Sequence, residues 1–195
     1  MKRQELENRY WNYYKHIEDQ FMETNKYVYF DKDNFNVYSY AYISLLLIIG
    51  SEVDVLFKEI CGYPDEKNKN MGNYKQDVFN KIPDLDKQEV EIAYFGLKIL
   101  PFKDLTSPNG MTWWKNYNSV KHNRQTNIKL ANLETVLIAL AALFLLNRFV
   151  ISDNLGKDEY YYMNKSRLFK TRDSGVIEDF GISLNEEGKP FGIRG

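Results

Sequence analysis

Val136-Leu-Ile-Ala-Leu-Ala-Ala-Leu-Phe-Leu-Leu146 is an unbroken apolar run bracketed by Glu134 and Arg148. A helix that crosses a bilayer needs about 20 such residues, so a run this short predicts a helix buried in a protein core. It lies inside a longer apolar segment, 128–149, which is expected to form one helix. A partner is expected over 37–61. There, Ile43-Ser-Leu-Leu-Leu-Ile-Ile49 is apolar almost all round, Val53, Leu56, Phe57 and Ile60 are one-sided, and Gly62 and Pro64 supply a stop. Two such helices must cover one another, and a helical bundle follows.

The flanking sequence adds smaller elements. Leu6, Tyr10, Tyr14, Ile17 and Phe21 recur at near-helical spacing, which predicts an amphipathic helix over 3–24. A short helix is expected over 74–81, ended by Pro83, after a charged, Asn-rich loop at 65–72. Thr112 is placed to cap a helix over 113–124. Val90, Ile92 and Tyr94, then Leu97 and Ile99, favour two extended pieces around a Phe95-Gly96 turn. Segments 159–163, 168–171 and 176–184 read as short strands or an extended wrap. The expected fold is therefore mainly α, a bundle with two long apolar central helices and small extended or β segments at about 90–101 and 159–184. Residues 1–151 form the bundle domain, and 152–195 form a C-terminal extended wrap or tail of the same domain.

Composition bounds the function. With 195 residues, 44% hydrophobic, the chain can bury one good core, and fifteen Tyr and twelve Phe must supply much of it. A net charge of −1 gives no bulk attraction to nucleic acid or anionic lipid, so any polyanion site must be local. Cys61 is the one cysteine, which excludes an internal disulfide and a cysteine zinc site; it is expected to be inert core. Met1-Lys2-Arg3-Gln4-Glu5 carries no apolar signal core, so a cytoplasmic location and no membrane contact are expected.

There are two histidines. His16 lies off the apolar face of the first helix and reads as a solvated side chain. His122 has more interesting company. On a helix, Trp113, Tyr117 and Val120 make an inward face, while Lys115, Asn118 and His122 make a polar stripe beside it, flanked by Lys121 and Arg124. Cations suit phosphate oxygens, Asn gives a directional hydrogen bond, and an imidazole moves a proton near neutrality. The plainer alternative stays open: His122 and Asn118 bond to neighbouring groups and the cations are solvated. Glu52, Asp54 and Glu59 on the central helix lack ligand spacing for a metal, so neither metal nor cofactor is expected. Glu52 is expected to form a partly buried ion pair that orients the 113–124 helix. Tyrosines 160–162 fit a base-stacking surface or ordinary packing.

The pattern Trp114-x-x-Tyr117-Asn118-x-x-Lys121-His122-x-Arg124, followed directly by an apolar helix, resembles the signature helix of HEPN domains (higher-eukaryote and prokaryote nucleotide-binding). Gly50-Ser51-Glu52-Val53-Asp54, in the middle of the upstream helix, is similar to uncharacterised bacterial members. The resemblance covers about residues 38–150. It implies an all-α bundle, a homodimer and, in catalytic members, metal-independent RNA cleavage in toxin–antitoxin or phage-defence systems. His122 takes the place of the family histidine and Asn118 that of the polar residue before it. The family arginine is missing. Tyr117 stands at its position, and the nearest cation on the face is Lys115.

What the resemblance implies is an RNA-binding protein or endoribonuclease, with His122, Asn118 and Lys115 catalytic. Lys121 and Arg124 would hold RNA phosphates, while Glu52 and Tyr117 orient the helix. The alternatives are a non-catalytic module that binds an antitoxin, another protein or a nucleotide, and a purely structural helical domain.

Overall fold

Leu6, Tyr10, Trp11, Tyr14, Ile17 and Phe21 are all buried, and they draw the first helical rod onto the core. The computed structural model describes residues 3–63, 71–155 and 165–171. That rod runs as α1 (Arg3–Leu6), a π-helical stretch (Glu7–Trp11) and α2 (Asn12–Glu23). A π turn carries an extra residue, and here it lets the consecutive Tyr10 and Trp11 both face inward.

The first central helix, α3 (Tyr40–Cys61), starts where the Ser39 hydroxyl accepts from Tyr42 N. Its stop is Gly62 at φ 75°, where Gly62 N and Tyr63 N donate to the carbonyls of Glu59 and Lys58. Next come α4 (Met71–Lys81), α5 (Thr112–His122), the short α6 (Arg124–Asn127) and the second central helix, α7 (Leu133–Leu155). The α3 and α7 helices pack against each other more extensively than any other pair. Around them, α2 and α5 each touch both, and α4 covers α3. The mainly helical bundle with two apolar central helices is thus the observed fold.

Several boundaries differ from the sequence reading. Ile128–Leu130 is a separate 3₁₀ turn, and α7 begins at Leu133. At the other end it runs past Phe149 to Leu155, so α7, like α3, is long and apolar enough to cross a membrane by length and composition. The apolar run 136–146 understated it. Within the bundle, 78% of the most apolar window of α7 and 50% of that of α3 are buried, so both are packed as core helices. Thr112 is the first residue of α5 rather than its cap; Met111 holds that place without a side-chain bond.

The extended segments form one small antiparallel sheet in the order β2-β1-β3. Strands β1 (Val90–Ile92) and β2 (Leu97–Ile99) are a hairpin, with Val90 opposite Ile99 and Gly96 in the turn at φ 56°. Strand β3 (Phe169–Thr171) pairs with β1, Ile92 facing Phe169. Segments 159–163 and 176–184 and tyrosines 160–162 lie outside the described residues.

Strand β3 is tied to the bundle by a buried carboxylate. Glu18 is wholly buried and accepts from Tyr14 Oη (2.8 Å), Arg167 N (3.2 Å) and Leu168 N (3.3 Å), and from Lys15 Nζ and Ser166 Oγ. Burial alone would raise its pKa, but the hydrogen bonds from Lys15, Ser166 and Tyr14 outweigh it and hold the carboxyl below its ordinary value.

Candidate nucleic-acid interface

Trp113, Tyr117 and Val120 are buried, as their spacing on α5 requires. Trp113 Nε1 donates to the Pro101 carbonyl at 2.9 Å, and Asn116 Nδ2 donates to Thr135 Oγ1 on α7 at 3.1 Å. These two bonds and the inward face fix the rotation of α5 about its axis. The stripe that remains outside holds Lys115 and His122, both exposed, with Asn118 half-buried between them.

The side chains on the stripe are unequally engaged. Asn118 turns its Nδ2 back to the Trp114 carbonyl at 3.0 Å, which leaves its Oδ1 as the group that can face outward. Lys121 sets its Nζ 5.4 Å from the centre of the Tyr117 ring, a cation–π contact that anchors the stem and leaves the charge outside. His122 ends the helix with an exposed imidazole.

Arg124 does not continue the stripe. Asn123 breaks the helix at φ −145° and ψ 78°, and its Oδ1 accepts from Thr126 N (3.4 Å) to start α6. Asn127 Nδ2 then donates to the carbonyls of Ser119 (3.0 Å) and Asn123 (2.9 Å), folding α6 back against the end of α5. Arg124 is therefore exposed on a separate short helix beyond His122. Asn123 and Asn127 shape this end of the site, and only their capping chemistry could have signalled it.

Tyr117 stands where the resemblance to HEPN domains expects an arginine, and its packing suits a flat ring rather than a cation. The side chain is 4% exposed and lies flat on Gly50 of α3. An arginine at this position would put a charge inside the α3–α5 contact rather than onto the polar stripe. Tyr117 thus orients α5 by packing.

Glu52 is the residue that sequence reasoning misplaced. It lies two positions after Gly50, about 200° further round α3, and so faces the N-terminal rod instead of α5. There it lines a cleft of about 90 Å³ with Arg9, Tyr10 and Glu59, and burial raises its pKa. Its neighbour Asp54 pairs with Lys58 at 2.7 Å. Cys61, expected in the core, is only partly buried. His16 is exposed, bonded to Gln20 at 2.7 Å and stacked on Tyr13. Burial pushes the Cys61 thiol up to about 11, which suits an inert side chain.

Counting charge along the chain completes the geometry. Residues 111–133 contain no Asp or Glu, yet Lys115, Lys121, His122, Arg124 and Lys129 all stand exposed there. Among the described residues, no ion pair engages any of these five. Loop 35–38 crosses beside this run: Val37 O accepts from Leu133 N, and Tyr38, which is 43% exposed, bridges to Asn132. Comparison of the chain with protein-family models, curated proteins and solved structures gives no match.

Proposed function

We propose that this chain is a HEPN-like module that binds single-stranded RNA along α5, α6 and the turn that follows. The observation that carries this reading is the run of five exposed basic groups, in a stretch 111–133 without Asp or Glu and outside any ion pair of the described residues, in a chain of net charge −1. Such a patch attracts phosphates locally without making the whole molecule basic. Exposed Tyr38, at the end of the run, offers a face on which a base can stack.

Binding is favoured over cleavage in the isolated chain. General acid–base catalysis needs a proton acceptor held within about 3 Å of its target, and His122 is exposed with no side chain of the described residues bonded to its ring. The resemblance supplies a remedy: in a homodimer whose α5 helices meet, two copies of His122, Asn118 and Lys115 would enclose one phosphate. The same face would serve as the docking surface of an antitoxin or other acidic partner in a toxin or phage-defence setting.

The test is fluorescence anisotropy with a single-stranded RNA in excess EDTA, followed by analysis of the RNA ends. Binding lost on Lys121→Glu or Arg124→Glu supports the module. Cleavage to 2′,3′-cyclic phosphate ends, abolished by His122→Ala with helical content unchanged, promotes it to a ribonuclease. A chain that binds no RNA at low salt refutes the proposal.

A further inference from the structure

A second site lies on the opposite side of α3, where the π-helical stretch leaves a cleft against α3 and α7. Its polar groups are Arg9 and Tyr10 from the rod, Glu52 and Glu59 from α3, and Asn147 from α7. Two of these are conspicuously short of partners. The Tyr10 hydroxyl is buried, in a residue only 7% exposed, and makes no hydrogen bond of ordinary geometry, although the Glu59 carboxylate lies close enough to help burial raise its pKa. Glu52 is half-buried, and no donor or cation of the described residues reaches its carboxylate. A native fold rarely leaves such groups unmet, because each loses solvation that nothing replaces.

We propose that this cleft binds a small organic cation that carries a guanidinium or primary ammonium head group. The chemistry of the lining selects that class. Asn147 is 3% exposed and donates its Nδ2 to the Leu143 carbonyl at 2.9 Å, so its Oδ1 is the atom left for a ligand. With both carboxylates, the cleft then offers three sets of acceptor oxygens, and the Tyr10 hydroxyl can accept as a fourth. A ligand that fills it must be rich in N–H donors.

Charge leads to the same class. Glu52 and Glu59 bring two negative charges, and Arg9 brings one positive. Arg9 does not neutralise either carboxylate by contact; its guanidinium carbon lies 5.4 Å from the centre of the Tyr10 ring. An excess of one negative charge remains, which repels phosphates and carboxylates and attracts a cation.

Size and shape limit the ligand further. A space of about 90 Å³ holds a head group of a few heavy atoms, not a whole side-chain bundle. At its rim stand Tyr13 and Val55, 42% and 49% exposed, an apolar surface against which an alkyl stem can lie. Arg9 and Tyr10, which line the space, belong to the π-helical stretch of the rod. Such turns are rare and concentrate at functional sites.

The test is isothermal titration of the full chain, at constant ionic strength, with agmatine, n-butylamine and the neutral n-butanol. Agmatine and n-butylamine should bind saturably, with a dissociation constant of about 1 mM or tighter, and n-butanol should not. Glu52→Gln and Glu59→Gln should each weaken agmatine about tenfold, the scale of one charge-assisted hydrogen bond. Glu23→Gln, an exposed carboxylate at the far end of α2, should leave it unchanged and so excludes bulk electrostatics. Amide-resolved NMR should place the shifts at Arg9, Tyr10 and Glu52. The proposal is overturned if agmatine does not saturate, if n-butanol binds equally, or if the shifts fall elsewhere. Binding that survives both Gln substitutions overturns it too. The Gln variants keep the carboxylate's shape, at the half-buried Glu52 and the exposed Glu59, so a folded circular dichroism spectrum is expected of each.

Discussion

A methyl group added to Gly50 would lie 2.5 Å from Cγ and Cε2 of Tyr117, well inside van der Waals contact. The α3–α5 contact is therefore a close approach of helix backbone to a flat ring, made possible by the one residue without a Cβ. Gly50→Ala sets two effects against each other. Helix propensity favours Ala by up to about 1 kcal/mol, while overpacking a buried ring costs about 1–3 kcal/mol. The clash wins because Tyr117 is held by α5 on its other side, so net destabilisation of about 1–2 kcal/mol is expected. Urea denaturation measures it. In a Tyr117→Ala background the same substitution should be neutral or stabilising, since the ring is gone; additive effects would refute the contact.

Glu18 predicts acid sensitivity. Its folded-state pKa is depressed, so the stability it contributes is present above the unfolded value, about 4.3. That stability is lost as pH falls through the lower folded value. Denaturation midpoints of the wild type should fall over that window, and those of Glu18→Gln should fall less. Glu18→Ala strands Ser166 and two backbone amides, and should cost about 3–5 kcal/mol. Amide exchange at Leu168 and Phe169 should accelerate first, because those amides belong to the tethered strand.

The basic run predicts a salt dependence. Each phosphate neutralised on a single strand adds roughly −0.7 to the slope of log affinity against log salt. Lys121→Glu and Arg124→Glu should each flatten the slope by about that amount and weaken binding across all RNA sequences. Anisotropy titrations from about 50 to about 200 mM salt resolve the change. Slopes that match the wild type would place the RNA elsewhere.

Assembly gives the fourth prediction. Most of the apolar surface of α7 is buried within the chain, so a dimer must use another face, and cleavage would need α5 near the two-fold axis. Light scattering at tens of micromolar should report a dimer, and crosslinking through a cysteine introduced at His122 should trap it. A monomer at that concentration would leave RNA binding as the only supported activity.

What the sequence by itself determined is what local periodicity controls. The inward face of Trp113, Tyr117 and Val120, the Gly62 stop, and the Gly96 turn between Val90 and Ile99 all follow from side-chain spacing and backbone freedom. Those rules act within a turn or two of chain. The polar stripe of Lys115, Asn118 and His122 was legible for the same reason. The tertiary structure alone decided the rest. Tyr117 excludes an arginine because Gly50, from a distant helix, lies beneath it. Glu52 faces the N-terminal rod because α5 already occupies the Gly50 side of α3. Glu18 reads as one more charged residue near Lys15, yet it is the buried anchor of a strand about 150 residues away. Such pairings depend on which helix faces which, and that is set by the packing of the whole core rather than by any repeat in the chain.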